Sequence, residues 1–197
     1  MKSLFTIVMF TFCLSMQAQC EYSVVTYNNE TDEAYLQSIP ITLDIYETPF
    51  NGRILIASLI RIENQYYIEI EITTDSSAQA LEPICFKKGA RLSFSLKNKS
   101  IISISQREDK ICGVKFYDEE TEYTTVSNYA RFILTQNSFD ELIKSEVILM
   151  KIDSEDYEKT FVVRDELEEV VGEEVIITNP SRFFIDNIEC MTNPKFK

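Results

Sequence analysis

The residue types that could carry chemistry in this chain are almost entirely carboxylates and cysteines. The sequence contains no histidine, so neither a Ser-His-Asp triad nor a Cys-His pair can be assembled. It has only four glycines and no tryptophan, so no glycine-rich phosphate loop can be written and the strongest stacking surface for sugars is missing. The available chemistry is therefore acid-base work by carboxylates, cation binding and disulfide formation.

Glu69 and Glu71 form the carboxylate pair with the simplest geometry. They lie two residues apart in residues 66–73, whose alternation predicts a strand, so both side chains project from one face. Two carboxylates about 5 to 10 Å apart can hydrolyse a glycosidic bond. The pattern also makes this the solvated face of the strand, which favours ordinary surface charges. A carboxylate-dependent hydrolase is the alternative function.

Tyr66 and Tyr67, beside this pair, could form a small binding face. Alternation favours a different outcome, with Tyr66 in the core and Tyr67 exposed at the surface.

A second acidic cluster places several oxygens in one turn, as a calcium ion would require. Its members are Asp153, Glu155, Asp156 and Glu158. The turn lacks the glycine and the twelfth-position glutamate of an EF-hand, so these residues are weak metal candidates and a solvated turn is favoured. No metal or cofactor is predicted, and a calcium-stabilised structural protein is a further alternative.

Residues 1–19 have the three parts of a secretory signal: a basic start, an apolar run over residues 4–14 and a short polar end. The apolar run is too short for a membrane span, which needs roughly 20 residues. Cleavage is expected between Ala18 and Cys20. Lipid anchoring at Cys20 is disfavoured, because Gln17 and Gln19 occupy positions where lipoprotein signals carry leucine and a small residue.

Export into an oxidising compartment, either the periplasm or the extracellular space, predicts disulfides among the remaining cysteines. Three connectivities are possible for four cysteines. We favour Cys85 with Cys112, which bracket a predicted hairpin, and then Cys20 with Cys190. The first bridge would close a loop of about 28 residues and stabilise the fold by roughly 3.5 kcal/mol. Long spacings and the absence of histidine make a zinc site improbable.

The chain is strongly acidic, with 32 acidic and 19 basic residues and a net charge of −13. Such a surface repels nucleic acid and anionic lipid, so neither is an expected partner. A basic protein, another unknown protein or a small ligand remains compatible with it.

Period-two runs predict most of the chain to be strands, and they position the residues above. The clearest are residues 41–46, 54–62, 66–73, 91–96 and 101–105. Ser138 begins a capping-box pattern that predicts a short helix, followed by strands at 147–152 and 159–164. Residues 165–172 fit either a short helix ended by Gly172 or a hairpin. Pro180 begins a last helix over 180–191.

We therefore predict an α+β, β-rich fold: an antiparallel sheet or sandwich followed by a helix-strand-strand-helix part, in a single domain over residues 20–197. The order of features resembles that of small exported proteins of Bacteroidetes. The resemblance is carried by the Gln-Ala-Gln signal end, the Cys-Phe-Lys-Lys-Gly start of the hairpin, the later Cys-Gly and the cysteine in the last helix. That group has no assigned activity, so the resemblance implies location alone.

The predicted function is a non-catalytic binding or interaction module, exported to the cell envelope or the extracellular space. No catalytic residue is assigned.

Overall fold

The computed structural model describes residues 21–28, 33–77, 80–172 and 174–192. The predicted signal and Cys20 lie outside these ranges. The largest element is a seven-stranded antiparallel sheet in which β4 pairs with both β2 and β3 along one edge. Its strands are β1 (Tyr22–Asn28), β2 (Glu33–Ser38), β3 (Ile41–Glu47), β4 (Asn51–Ile62), β5 (Gln65–Ser76), β10 (Val114–Asp118) and β11 (Tyr123–Leu134).

A second, four-stranded sheet has the order β13-β12-β7-β8. Its strands are β7 (Arg91–Leu96), β8 (Ile101–Ser105), β12 (Val147–Ser154) and β13 (Tyr157–Val162). Two short antiparallel pairs complete the β structure: β6 (Cys85–Lys87) with β9 (Lys110–Cys112), and β14 (Leu167–Val171) with β15 (Glu174–Thr178). The helices are α1 (Gln136–Leu142) and α2 (Phe183–Thr192).

Alternating burial explains why these runs are strands. In β5, Ile68, Ile70 and Ile72 are buried, and in β7 the buried positions are Leu92, Phe94 and Leu96. All six belong to one hydrophobic cluster, so the inner faces of both sheets share a core. The β-rich prediction and the hairpin at 91–105 are confirmed.

Helix α2 connects the two sheets. Phe184 packs edge-on against Phe94 of β7, with ring centroids 5.2 Å apart. At its other end, the Tyr22 hydroxyl donates to the carbonyl of Cys190 (2.8 Å), and Arg61 of β4 donates to that of Met191 (3.1 Å). Carbonyls in the last turn of a helix have no partner within it, so these two bonds supply donors from the seven-stranded sheet.

The C-terminal part differs from the prediction in its strand count, because four strands lie between α1 and α2. Residues 167–171 and 174–178 form the hairpin β14-β15, which is one of the two outcomes predicted for residues 165–172. Gly172 has a φ of 66°, which is suited to a tight hairpin turn. Pro180 begins a 3₁₀ turn that leads into α2, as predicted, but the side chain of Asn179 makes no capping hydrogen bond.

The start of α1 also differs from the prediction. Thr135 is the N-cap, and its hydroxyl accepts a hydrogen bond from the Ser138 amide at 3.2 Å. Ser138 lies inside the first turn and is buried. Its hydroxyl is 2.7 Å from that of Thr135, so the predicted capping residue supports the actual one.

The predicted bridge between Cys85 and Cys112 is present. The two residues are directly opposite each other in the β6-β9 pair, with Cα atoms 4.0 Å apart. The hairpin β7-β8 lies inside the loop that the bridge closes. Cys190 lies half-buried in α2, while Cys20 is outside the described residues, so their pairing stays a prediction.

Gly113, directly after the bridge, marks the point where the chain reaches the seven-stranded sheet. A Cβ atom at Gly113 would lie 2.7 Å from the carbonyl oxygen of Ser127 in β11. The backbones approach this closely because the Gly113 amide donates to the carbonyl of Ile84 (3.0 Å) while β10 pairs with β11. Only glycine fits there without a shift of one strand.

Removal of the bridge by Cys85→Ala together with Cys112→Ala should lower the free energy of unfolding by about 2 to 4 kcal/mol, because the unfolded chain regains loop entropy. Urea denaturation without reductant measures this. Peptide mass mapping of the non-reduced protein should also find the two cysteines linked, and two free thiols at these positions would contradict the bridge.

Gly113→Ala should destabilise the fold by about 1 to 3 kcal/mol, because the added methyl group forces β10 away from β11. Gly52→Ala is the matched control, since its Cβ would meet no atom closer than 3.8 Å. The control should be neutral or slightly stabilising. If urea denaturation shows the same loss in the free energy of unfolding for both variants, the close approach of the strands at Gly113 does not affect stability.

Candidate interaction surface

The carboxylate pair Glu69 and Glu71 lies on the outer face of β5, where neighbouring side chains engage both groups. Arg131 is directly opposite Glu69 and donates two hydrogen bonds to it, at 3.1 and 2.6 Å. Both side chains of this pair are only about a quarter exposed, at 27% for Arg131 and 23% for Glu69. Glu69 and Glu71 are thus on the predicted outer face of β5, and this face is half-exposed rather than fully solvated, because paired side chains such as Glu69 and Arg131 cover each other.

Glu71 has its own partners on this face. It accepts a hydrogen bond from the Thr73 hydroxyl at 3.1 Å, and Tyr129 of β11 is directly opposite. Burial, followed by the negative charge of Glu71, raises the pKa of Tyr129. Glu69 is thus held in an ion pair with Arg131, whereas Glu71 accepts a hydrogen bond from an uncharged hydroxyl group.

The two adjacent tyrosines lie on opposite faces of the sheet. Tyr66 packs against the hydrophobic core, 5.3 Å from the ring of Phe139, which confirms its predicted place. Tyr67 is half-buried on the outer face, and its hydroxyl donates to Gln65 at 3.1 Å. They therefore cannot form one binding face together.

The four acidic residues of the predicted turn are divided between two lysines. Lys151 lies between Asp153 (3.9 Å) and Glu158 (2.5 Å), which oppose each other across β12 and β13. Lys87 contacts Glu155 (2.7 Å) and Asp156 (3.6 Å). In the described ranges, no three acidic, cysteine or histidine side chains are grouped so that they could hold a metal ion.

Tyr157 anchors this turn to the core. Its ring lies edge-on to the fully buried Phe86, with centroids 5.8 Å apart. Burial raises the pKa of Tyr157 to about 12. The turn is thus fixed by a buried aromatic contact as well as by two ion-pair clusters.

The most concentrated cationic cleft is lined by Lys97, Lys144 and Arg182. Each cation has an acidic partner there: Lys97 lies 2.6 Å from Glu146, and Lys144 lies 2.8 Å from Glu141. Arg182 contacts Glu146 at 3.6 Å and Asp186 at 3.0 Å. The positive charge of the cleft is therefore largely neutralised from within.

The hairpin β14-β15 carries the most exposed group of aliphatic side chains on one element. Val170 is 74% exposed, Val175 60% and Ile177 57%. In the register of the pair, Val170 opposes Val175 and Ile177 opposes Glu168, so the three aliphatic side chains share a face. We call this the hairpin face.

The opposite side of the hairpin is directed towards the protein at its base. Leu167 projects from that side and is only 4% exposed, and β14 lies beside β3. The hairpin face therefore points away from the protein. The sequence showed this run of β-branched residues, but their exposure depends on contacts at the base that no local pattern predicts.

A second exposed apolar segment is β10, the edge strand of the seven-stranded sheet. Val114 is 61% exposed, Phe116 65% and Tyr117 53%. Lys115 lies within this strand and pairs with Glu82 at 2.8 Å. Val114 and Phe116 share one face of β10 while Tyr117 lies on the other, so β10 presents fewer apolar side chains on a single face than the hairpin and is the weaker candidate for an interface.

Neither helix in the described part of the chain is long and apolar enough to cross a membrane.

Comparison with protein-family models, with curated proteins and with solved structures gives no match for this chain. Its function must therefore be inferred from its own surface, and the hairpin face is the strongest candidate site.

Ionisation of Tyr157 should make the fold sensitive to alkaline pH. Its pKa is raised from 10.0 to about 12 by burial, so the stabilisation is complete below pH 10 and is lost as pH rises from 10 to 12. The loss should be at most about 2 kcal/mol, because the ring is partly solvated.

Urea denaturation at pH 9, 10, 11 and 12 measures the alkaline loss of stability, and Tyr157→Phe should reduce it. Tyr129, whose pKa is also raised by burial, contributes to what remains. Tyr46→Phe, at a ring that is 53% exposed, is the control and should leave the alkaline loss in place. If Tyr157→Phe and wild type lose the same stability between pH 10 and 12, Tyr157 is not the group responsible.

Proposed function

We propose that this protein is a non-catalytic interaction module that binds a partner protein through the hairpin face. The observation that carries the proposal is the exposure of Val170, Val175 and Ile177 side by side on a projecting hairpin. An isolated two-stranded hairpin is only marginally stable in water. Exposed clusters of apolar side chains are typical of sites that another molecule covers.

The partners of the two carboxylates support a binding role over hydrolysis. A catalytic acid and base need a reactive proton and access to substrate. Glu69 is instead held by two hydrogen bonds from Arg131, and Glu71 by Thr73. The contact with Arg131 gives Glu69 a structural role in joining β5 to β11, and the contact with Thr73 holds the side chain of Glu71 along β5.

Export to the periplasm or the extracellular space is part of the same proposal. It is supported by the signal-like residues 1–19 and by the Cys85–Cys112 bridge, since disulfides persist in oxidising compartments. In such a compartment the partner would be another envelope or extracellular protein.

The energy of the hairpin face indicates the kind of interface. Fully burying one aliphatic side chain contributes about 1.5 to 3 kcal/mol, so covering these three partly exposed ones would contribute roughly 3 to 5 kcal/mol. Micromolar binding corresponds to about 8 kcal/mol. The hairpin face would therefore be the centre of the interface, with further contacts around it.

Capture from the envelope and secreted fractions of the source organism tests the proposal. The bait is the protein purified after export, compared with the variant Val170→Thr/Val175→Thr/Ile177→Thr. Threonine keeps the β-branched shape and removes apolar surface. At least one protein should be captured by wild type and depleted about tenfold or more with the variant, as the loss of an interface centre predicts.

The control variant is Ile101→Thr/Val162→Thr, which alters side chains that are 76% and 63% exposed on the second sheet. It should capture the same partner as wild type, and all three proteins should show the same circular dichroism. If the hairpin variant captures the same proteins in the same amounts as wild type, the proposal fails.

A further inference from the structure

The outer edge of β15 is open in the structure. Among the described residues, β14 and β15 pair only with each other. β14 lies beside β3, whereas four of the five residues of β15 are exposed, from Glu174 to Ile177. The backbone groups along this edge can therefore accept another strand, and added strands of this kind are a recurrent mode of peptide recognition.

The two faces of the hairpin differ in chemistry. The hairpin face presents Val175 and Ile177 along β15. The other face presents Glu174, and beside it Glu169 opposite Ile176. Because successive residues of a strand point to opposite faces, a strand added to β15 would meet Val175 and Ile177 on the hairpin face and Glu174 and Ile176 on the other. Glu168 of β14 lies on the hairpin face, opposite Ile177.

Charge within the hairpin segment is of one sign. Residues 165–178 contain six acidic and no basic side chains: Asp165, Glu166, Glu168, Glu169, Glu173 and Glu174. Strand β10 carries a basic residue, Lys115, whereas residues 165–178 contain none. A partner that brings lysine or arginine side chains beside these acids is attracted, and one that brings acids is repelled.

We infer that the partner adds an extended segment to β15 as a third strand, and that this segment alternates aliphatic residues with lysine or arginine. The inference rests on the proposed function and specifies its partner. Aliphatic side chains of the segment cover Val175 and Ile177, and its basic side chains lie next to Glu174 and reach towards Glu169 across Ile176. Backbone hydrogen bonds along β15 supply the contacts that the aliphatic side chains alone do not.

A second copy of this chain is a poor occupant of the same edge. Two hairpins brought together would place Glu168, Glu169 and Glu174 of each copy close to the same residues of the other, in a chain whose net charge is already −13. Like charges across an interface disfavour association.

A synthetic octapeptide of alternating valine and lysine, with blocked termini, is the probe. The full exported protein is titrated into the fluorescently labelled probe, and the anisotropy of the probe is measured. The Kd should be below about 1 mM. Three control peptides are a block peptide of four valines and four lysines, an alternating valine-glutamate peptide, and the probe with alternate backbone nitrogens methylated. Each should bind at least about tenfold more weakly. The block peptide lacks the alternation, the valine-glutamate peptide lacks the positive charge, and the methylated probe lacks backbone hydrogen-bond donors.

Protein variants locate the site. Val175→Thr/Ile177→Thr and Glu169→Gln/Glu174→Gln should each weaken probe binding about fivefold or more. Glu119→Gln/Glu120→Gln makes the same charge change in an exposed loop elsewhere, and it should change the Kd less than twofold. If the two glutamine variants lose the same affinity for the probe, the effect depends only on the net charge of the protein, and the inference is overturned.

Other outcomes separate this inference from the proposed function. If the probe binds no better than the block or methylated peptide while hairpin-dependent capture of a partner persists, strand addition is wrong and the interaction module stands. If capture does not depend on the hairpin face, the proposed function falls first. Sedimentation that shows a wild-type dimer, lost in Val175→Thr/Ile177→Thr, would assign the edge to a second copy instead.

Discussion

One buried asparagine ties the segment that carries β7 and β8 to the seven-stranded sheet. Asn128 of β11 is only 3% exposed, and its side-chain oxygen accepts a hydrogen bond from the Ile84 amide at 2.6 Å. Ile84 in turn accepts from the Gly113 amide at 3.0 Å. The entry and exit of the segment bridged by Cys85–Cys112 are thus tied to one side chain of the seven-stranded sheet. Loss of that oxygen would leave a half-buried amide without a partner, which costs about 1 to 3 kcal/mol.

The distribution of basic residues explains how so acidic a chain stays compact. Arg131 joins β5 to β11 through Glu69 and also lies 3.6 Å from Glu108. Arg53 joins β4 to β3 through Asp44 at 3.2 Å. These two pairs place arginine side chains between neighbouring strands. An excess of acidic residues without such partners accumulates in segments such as 165–178. The hairpin β14-β15 is the extreme case, because it combines that excess with exposed aliphatic side chains.

Local patterns in the sequence predicted the elements far better than their surroundings. Period-two runs identified β4, β5, β7 and β8, and the Cys85–Cys112 pairing followed from the hairpin between them. The partner of Glu69 was not predictable, because Arg131 is 62 residues away and meets it only through the β5-β11 register. Residues 165–172 fitted either a short helix ended by Gly172 or a hairpin, and the structure has the hairpin strands β14 and β15 there.

The position of the disulfide has a consequence for the order of folding. Strands β5 and β11 are neighbours in the sheet, yet Ser76 and its partner Thr124 are separated along the chain by the whole bridged segment. The Cys85–Cys112 bond bypasses about half of that separation, and each halving lowers the entropy cost of bringing chain ends together by about 0.6 kcal/mol. Oxidation of the short β6-β9 pair early in folding would therefore favour closure of the seven-stranded sheet. A chain kept reduced would have to make the same long-range contact more slowly.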